Sequence, residues 1–173
     1  MKENKRNESL LRFVELIESL QHEKIKKYNR RVSLGDLLTD RAANAGMYGF
    51  GEGTTCYDNV LILGDVRVGS NGWIGPNVIL DGTGGLVIGD NVSISAGAQI
   101  YSHSSVARSA SQGKEQIETK PTAIGNGAYI GPNAVVQMGV TIGDSVVVGA
   151  LCFVNRDIPH NKKAYGVPME IFD

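Results

Sequence analysis

The stretch "IGNGAYIGPNAVVQMGVTIGDSVVVGALCFV", residues 124–154, returns an aliphatic side chain at every sixth position: Ile124, Ile130, Val136, Ile142, Val148 and Val154. Four residues after each of the first five, a small or β-branched residue recurs: Ala128, Ala134, Val140, Val146 and Cys152. Neither the 3.6-residue period of a helix nor the 2.0-residue period of a strand gives this spacing. A unit of one short strand and one turn does, because three such units close a triangular coil and coils of equal size stack. The large aliphatics then fill the inside, and the small residues fit where the corners narrow.

Read backwards from this stretch, the same rhythm holds at Ile88, Ile94 and Ile100 and, beyond a two-residue slip at "GTGG" (residues 82–85), at Ile62, Val68, Ile74 and Leu80. Val66, Val78, Val92 and Ala98 take the small positions. Runs such as Gly75-Pro76-Asn77, Gly89-Asp90-Asn91 and Gly131-Pro132-Asn133 supply the turns. The aliphatic series predicts about four to five turns of β-solenoid. Cys152 is then an interior side chain and not a reactive thiol, and the spacing of Cys56 and Cys152 supports neither a zinc site nor a disulfide framework.

Composition agrees with a turn-rich globular protein. The chain has 173 residues, 22 of them glycine, and a net charge of −1. Nothing approaches the roughly 18 apolar residues of a membrane span, and "MKENKRNESLLRF" lacks the apolar core of a signal peptide, so a cytoplasmic protein is expected. Residues 1–31 hold nine Lys/Arg against five Asp/Glu. Their alternation with Glu15, Glu18 and Glu23 reads as a solvated helix face and not as a nucleic-acid arm.

From Glu8 to Lys27, the residues Leu10, Leu11, Phe13, Val14, Ile17 and Leu20 form one face of an amphipathic helix. Ser33 is placed to cap a second helix through "LGDLLTDRAANAG", with Gly46 as its stop. This divides the chain into a helical segment, 1–46, and a solenoid domain, 47–173, with an inserted loop at 104–120 and a tail from about residue 158.

The insertion is where the repeat fails. After "IYSH", residues 100–103, seventeen mostly polar residues intervene before the rhythm resumes. Loops of that length are uncommon in compact domains unless they are functional or disordered. This one begins at His103, whereas His22 falls in the N-terminal helix and His160 in the tail. A packed solenoid interior leaves only its outside for chemistry. A histidine at a turn is most often just a polar turn residue, so the catalytic reading of His103 depends on its context.

That context includes a resemblance. The Ile-Gly-x-x-Ala/Val-x repeats, followed by "VNRDIPHNKKAYGVPMEIF", resemble the hexapeptide-repeat acyltransferases, and "IGDNVSISAGAQIYSHSS" is similar to their sugar and polysaccharide O-acetyltransferase branch. The resemblance implies a left-handed parallel β-helix, a homotrimer, acetyl-CoA as acyl donor and a sugar hydroxyl as acceptor, with His103 as general base. An alcohol is a poor nucleophile at neutral pH, and an imidazole is suited to accept its proton. Asp81 stacks a coil away, where it either orients the imidazole or is an ordinary turn aspartate. For the acyl donor, the resemblance points to Tyr129, Gly131, Gly149 and Ala150, and to Asn155 and Arg156 in "VNRDIP", with Lys162 and Lys163 near the nucleotide phosphates. Relatives commonly have Trp where Tyr129 stands. Two other readings are an N-acetyltransferase for an amino sugar or other small acceptor and a non-catalytic binding solenoid. A metal-dependent hydratase on this scaffold would need three histidines around one zinc, and the repeat region offers one suitably placed; no metal, nucleic-acid or membrane role is expected.

Overall fold

The computed structural model describes the backbone of residues 2–173 and side chains from residue 7 onward. It falls into two compact units, divided between Asp40 and Arg41.

In the first unit, helix α1 spans Lys2–Tyr28 and helix α2 spans Leu34–Leu38. Gln21 ties the turn between them, its amide donating to the Arg30 carbonyl at 3.2 Å and its oxygen accepting from the Val32 N–H at 3.3 Å. Much of the apolar face is uncovered, with Leu10, Leu11, Phe13 and Val14 all exposed. The second predicted helix is two helices. Thr39 adopts an extended conformation (φ −114°, ψ 133°), which ends α2. Helix α3, Arg41–Met47, then begins afresh and runs through Gly46. Ser33 stands at the N-cap of α2 but makes no side-chain cap bond.

Helix α3 belongs to the second unit and covers the first coil. Asn44 donates to the carbonyls of Cys56 (3.1 Å) and Tyr57 (3.0 Å), and Ala45 and Phe50 are buried. The rest is a three-faced parallel solenoid. On the first face, Thr55–Cys56, Trp73–Ile74, Ser93–Ile94, Tyr129–Ile130, Val147–Val148 and Lys163–Tyr165 stack in parallel. On the second, Ile62, Leu80, Ile100, Val136 and Val154 are in register. On the third, Val68, Ile88, Ile124, Ile142 and Ile158 are in register. The first face therefore counts six rungs, where the aliphatic series predicted four to five turns. The added rungs use Cys56 and Ala164 as interior residues, which the search for large aliphatics passes over. A hairpin strand, Glu170–Phe172, pairs antiparallel with the last rung.

The interior is the predicted one. From Ile74 to Val154 every aliphatic of the six-residue series is buried, as are Val78, Val92, Ala98, Ala128, Ala134, Val140, Val146 and Cys152. Fully burying one such Ile or Leu is worth about 1.5–3 kcal/mol, so the stacked columns are what holds the coils together. Ile62 and Val66, near the start of the stack, are only partly covered. Burial pushes the Cys56 thiol up to about 11 and raises that of Cys152, as for inert interior thiols.

The turns follow the sequence pattern. The fourth residue of the hexad takes a left-handed conformation, with φ between 54° and 57° at Asn77, Asn91 and Asn133 and φ of 70° at Gly97. Where the second residue is glycine, as at Gly75, Gly89, Gly131 and Gly149, the coils stack too closely for a side chain. A Cβ on Gly131 would lie 2.6 Å from the Ala150 nitrogen.

Candidate active site

His103 stands at the corner between the second and third faces, where the inserted loop leaves the solenoid. The loop base is a two-stranded antiparallel clasp, His103–Ser104 against Glu118–Thr119, and a short helix α4, Val106–Ala110, follows it. Below the loop the coil is sealed by Thr122, whose buried hydroxyl donates to the Tyr101 carbonyl (2.7 Å) and accepts from the Gly139 N–H (3.0 Å).

Asp81 lies one coil away and is fully buried. The Nδ1 of His103 is 2.5 Å from its Oδ2, which also accepts the backbone N–H groups of Ser102 (2.9 Å) and His103 (3.1 Å). The Oδ1 accepts both the N–H (3.0 Å) and the hydroxyl (2.5 Å) of Thr83. Burial alone would push this carboxyl up; the Thr83 hydroxyl, the Ser102 and Thr83 N–H groups and His103 outweigh it and hold the pKa down at about 2. An ionised carboxylate only accepts, so the proton of a neutral imidazole sits on Nδ1 and Nε2 keeps its lone pair. The side chain of His103 is 28% exposed. The arrangement is thus a buried anion fixing the tautomer and orientation of a partly open base.

Two members of this cluster had a signal in the sequence that was not read for chemistry. Thr83 lies in the "GTGG" slip, and Ser102 in "IYSH" is fully buried, its Oγ accepting the Gly84 N–H at 2.8 Å. The slip is a bulge that serves the corner beside His103.

Five of the residues singled out for an acyl donor lie at two corners of the solenoid, and Tyr129, Lys162 and Lys163 lie in or beside the first face. Gly131, Gly149 and Ala150 stack at the corner between the first and second faces, with the Tyr165 ring packed over Gly149. Tyr129 is on the first face, its hydroxyl 3.1 Å from that of Ser95. Asn155 and Arg156 turn the same corner as His103, farther along the stack, and Arg156 donates to the Met169 carbonyl at 3.0 Å. Lys162 pairs with the Asp173 carboxylate and lowers its pKa, and Lys163 reaches the Asp173 carbonyl at 3.4 Å. Of the other histidines, His22 is bonded to the Glu18 carbonyl and His160 accepts the Asp144 N–H. Among the described residues there is no group of three potential metal ligands and no helix long and apolar enough to cross a membrane.

Comparison with known proteins agrees with this architecture. Residues 121–156 match the bacterial transferase hexapeptide family (six repeats), and residues 65–102 match the hexapeptide repeat of succinyl-transferase. Hexapeptide-repeat transferase models thus match the chain on both sides of the inserted loop. The chain is 32% identical over 107 residues to the galactoside O-acetyltransferase of Escherichia coli, covering 62% of this chain and 53% of that protein. A 50-residue segment, 29% of this chain and 26% of the relative, is 46% identical to a dTDP-3-amino-3,6-dideoxy-α-D-galactopyranose 3-N-acetyltransferase of Aneurinibacillus thermoaerophilus. A hexapeptide-repeat-containing acetyltransferase from Vibrio cholerae, known from its crystal structure, aligns over 91% of both chains with 28% identity and a TM-score of 0.63. The chain thus spans about half the length of its galactoside relative and less of the other.

Proposed function

We propose that the protein is an acyltransferase that moves the acetyl group of acetyl-CoA to a hydroxyl of a sugar or polysaccharide precursor, with His103 as general base. The observation that carries this reading is the Asp81–His103 pair, which leaves Nε2 as an unprotonated acceptor at the mouth of the inserted loop. In the reaction, Nε2 takes the proton of the acceptor hydroxyl as its oxygen forms a bond to the thioester carbonyl carbon. The carbon–sulfur bond then breaks, and the imidazolium returns the proton to the departing thiolate, so that an ester and free CoA result. Asp81, ionised throughout, stabilises the imidazolium in between. A hydroxyl acceptor suits this pair because it must lose its proton during attack. The galactoside relative acts on that class of acceptor.

Acetyl-CoA lies along the later coils in this reading, with Tyr129 on the first face, Gly131, Gly149 and Ala150 along one corner and Asn155 and Arg156 along another. Lys162 and Lys163 exchange Asp173 for nucleotide phosphates. The two corners serve one site when flat faces of neighbouring chains pack about a threefold axis, and a homotrimer is the assembly proposed.

The test is release of free thiol from acetyl-CoA with a panel of sugars and amino sugars, for wild type and His103→Ala. Turnover of His103→Ala is expected to fall by about two to four orders of magnitude, the usual worth of a general base, with acetyl-CoA affinity little changed. Retention of most activity by His103→Ala removes the assignment. Turnover restricted to amino sugars moves the protein to the N-acetylating class.

A further inference from the structure

Strand Ile79–Ile88 carries more residues than its place in the solenoid requires. In the neighbouring coil, Asp65 alone spans the corner between Gly64 and Val66. In this strand Thr83, Gly84 and Gly85 occupy the matching interval between Gly82 and Leu86. Two extra residues at a rung disrupt the ladder locally and re-aim what they carry.

What they carry is turned toward His103. Thr83 gives both its N–H and its hydroxyl to Oδ1 of Asp81, which leaves Oδ2 to the Ser102 N–H, the His103 N–H and the imidazole. The Gly84 N–H donates to the Ser102 hydroxyl. A Cβ on Gly84 would collide with the Ser102 carbonyl oxygen and lie 2.9 Å from the Lys120 nitrogen, so the bulge packs directly on the chain where it enters and leaves the loop. Thr83 itself is exposed, so its side chain is not there to fill the core.

We propose that this bulge is a positioning device for the imidazole: the Thr83 hydroxyl fixes the rotation of the Asp81 carboxylate, and through it the direction of the His103 ring. Thr83 is a positioning residue, and the proposal rests on the reading of His103 as the base. Tying one carboxylate oxygen at 2.5 Å leaves the other a single orientation. With that tie removed, the carboxylate turns about its last torsion and the imidazole loses its reference. The competing role is purely local, since an aspartate accepting the N–H two residues on also closes an ordinary turn.

Thr83→Val keeps the shape and removes the hydroxyl, and Thr83→Ser keeps the hydroxyl. The readouts are kcat, the KM for acetyl-CoA, thermal stability and the low-field proton resonance of the His103 Nδ1–H in protein labelled with 15N-histidine. For Thr83→Val the expected result is a kcat lower by about tenfold, the scale of one hydrogen bond to a charged group, with unchanged KM and a broadened Nδ1–H resonance. Thr83→Ser is expected to restore both kcat and the resonance. The proposal is overturned if Thr83→Val keeps wild-type kcat, if it alters stability while leaving the resonance unchanged, or if Thr83→Ser is as impaired as Thr83→Val. Should His103→Ala itself stay active, the base reading fails alone, and the resonance still reports whether Thr83 holds the Asp81–His103 pair.

Discussion

At the corner between the third and first faces each coil turns in the same way, and one exposed side chain per coil caps a backbone N–H of the coil before it. Asp90 accepts from Ser70 (2.7 Å), Asn126 from Asp90 (2.8 Å), Asp144 from Asn126 (2.6 Å) and His160 from Asp144 (2.9 Å). At the corner between the second and third faces the coils differ: one has a bulge, the next a seventeen-residue loop, and five donor groups converge on the single buried carboxylate of Asp81. The first corner spreads its polar bonds thinly, where water can replace any of them. The second concentrates them on a carboxylate with no exposed surface. A repeat fold can thus carry a reactive group by breaking its regularity at one corner and keeping it at another.

The comparison breaks most visibly at Asp81. Asparagine has the same shape, but whichever way its amide faces, its NH₂ meets either the Thr83 donors or those of Ser102 and His103. Asp81→Asn is expected to lower stability by about 2–3 kcal/mol, the cost of leaving buried donors unsatisfied. Turnover is expected to fall by at least about a hundredfold, because Nδ1 loses the anion that fixes its proton. The pH dependence gives a second reading. The folded-state pKa of about 2 is below the ordinary carboxylate value of 3.8, so the stabilisation is complete above the ordinary range and lost as pH falls through the folded value. Urea titrations of both proteins between pH 7 and pH 2 are expected to show the gap between them narrowing below about pH 4. An equal midpoint at pH 7 would mean that the carboxylate does not hold the corner.

How much of this could be read from the chain follows from the same contrast. The regular parts were legible because the period of six is written in residue types: Ile130, Val136 and Ile142 announce the inside, and Asn77 or Asn133 the left-handed turns. The solenoid's ends were less legible, since Cys56 and Ala164 fill interior positions without being large aliphatics. At the irregular corner, His103 stood out against the repeat, whereas Asp81 read equally well as an ordinary turn aspartate. Their geometry did not stand out, because Thr83 and Ser102 meet them through a bulge whose path no periodicity describes. The N-terminal helices were visible as amphipathic patterns, but the break at Thr39 depends on one residue's backbone conformation.

The regular corner offers a smaller test. Asp144→Ala removes the cap on the Asn126 N–H, but that group is near solvent and water replaces the carboxylate. The expected loss is about 1 kcal/mol, typical of a side chain capping a backbone donor, with kcat and the KM for acetyl-CoA unchanged. A large kinetic effect in the thiol-release assay would show that this corner serves the reaction.

The smallest expected effect comes from the corner between the first and second faces, where one residue departs from the turn pattern. Asn77, Gly97 and Asn133 take the left-handed position in successive coils, but in the next coil it is Leu151, with φ of 60° and 68% exposed. A leucine gains nothing from either circumstance: the conformation is disfavoured by about 1–2 kcal/mol relative to right-handed backbone, and the exposed side chain buries no apolar surface. Asparagine tolerates this conformation because its short polar side chain bonds locally. Leu151→Asn is therefore expected to raise stability by about 0.5–1 kcal/mol, measured as a higher thermal midpoint at unchanged turnover. Leu151 follows Gly149 and Ala150 directly, so the KM for acetyl-CoA in the same variant decides what the strain is for. An unchanged KM places this corner with the regular one. A KM raised several-fold, with or without the gain in stability, places it with the corner that holds His103 and gives the strained leucine a contact with the acyl donor as its reason.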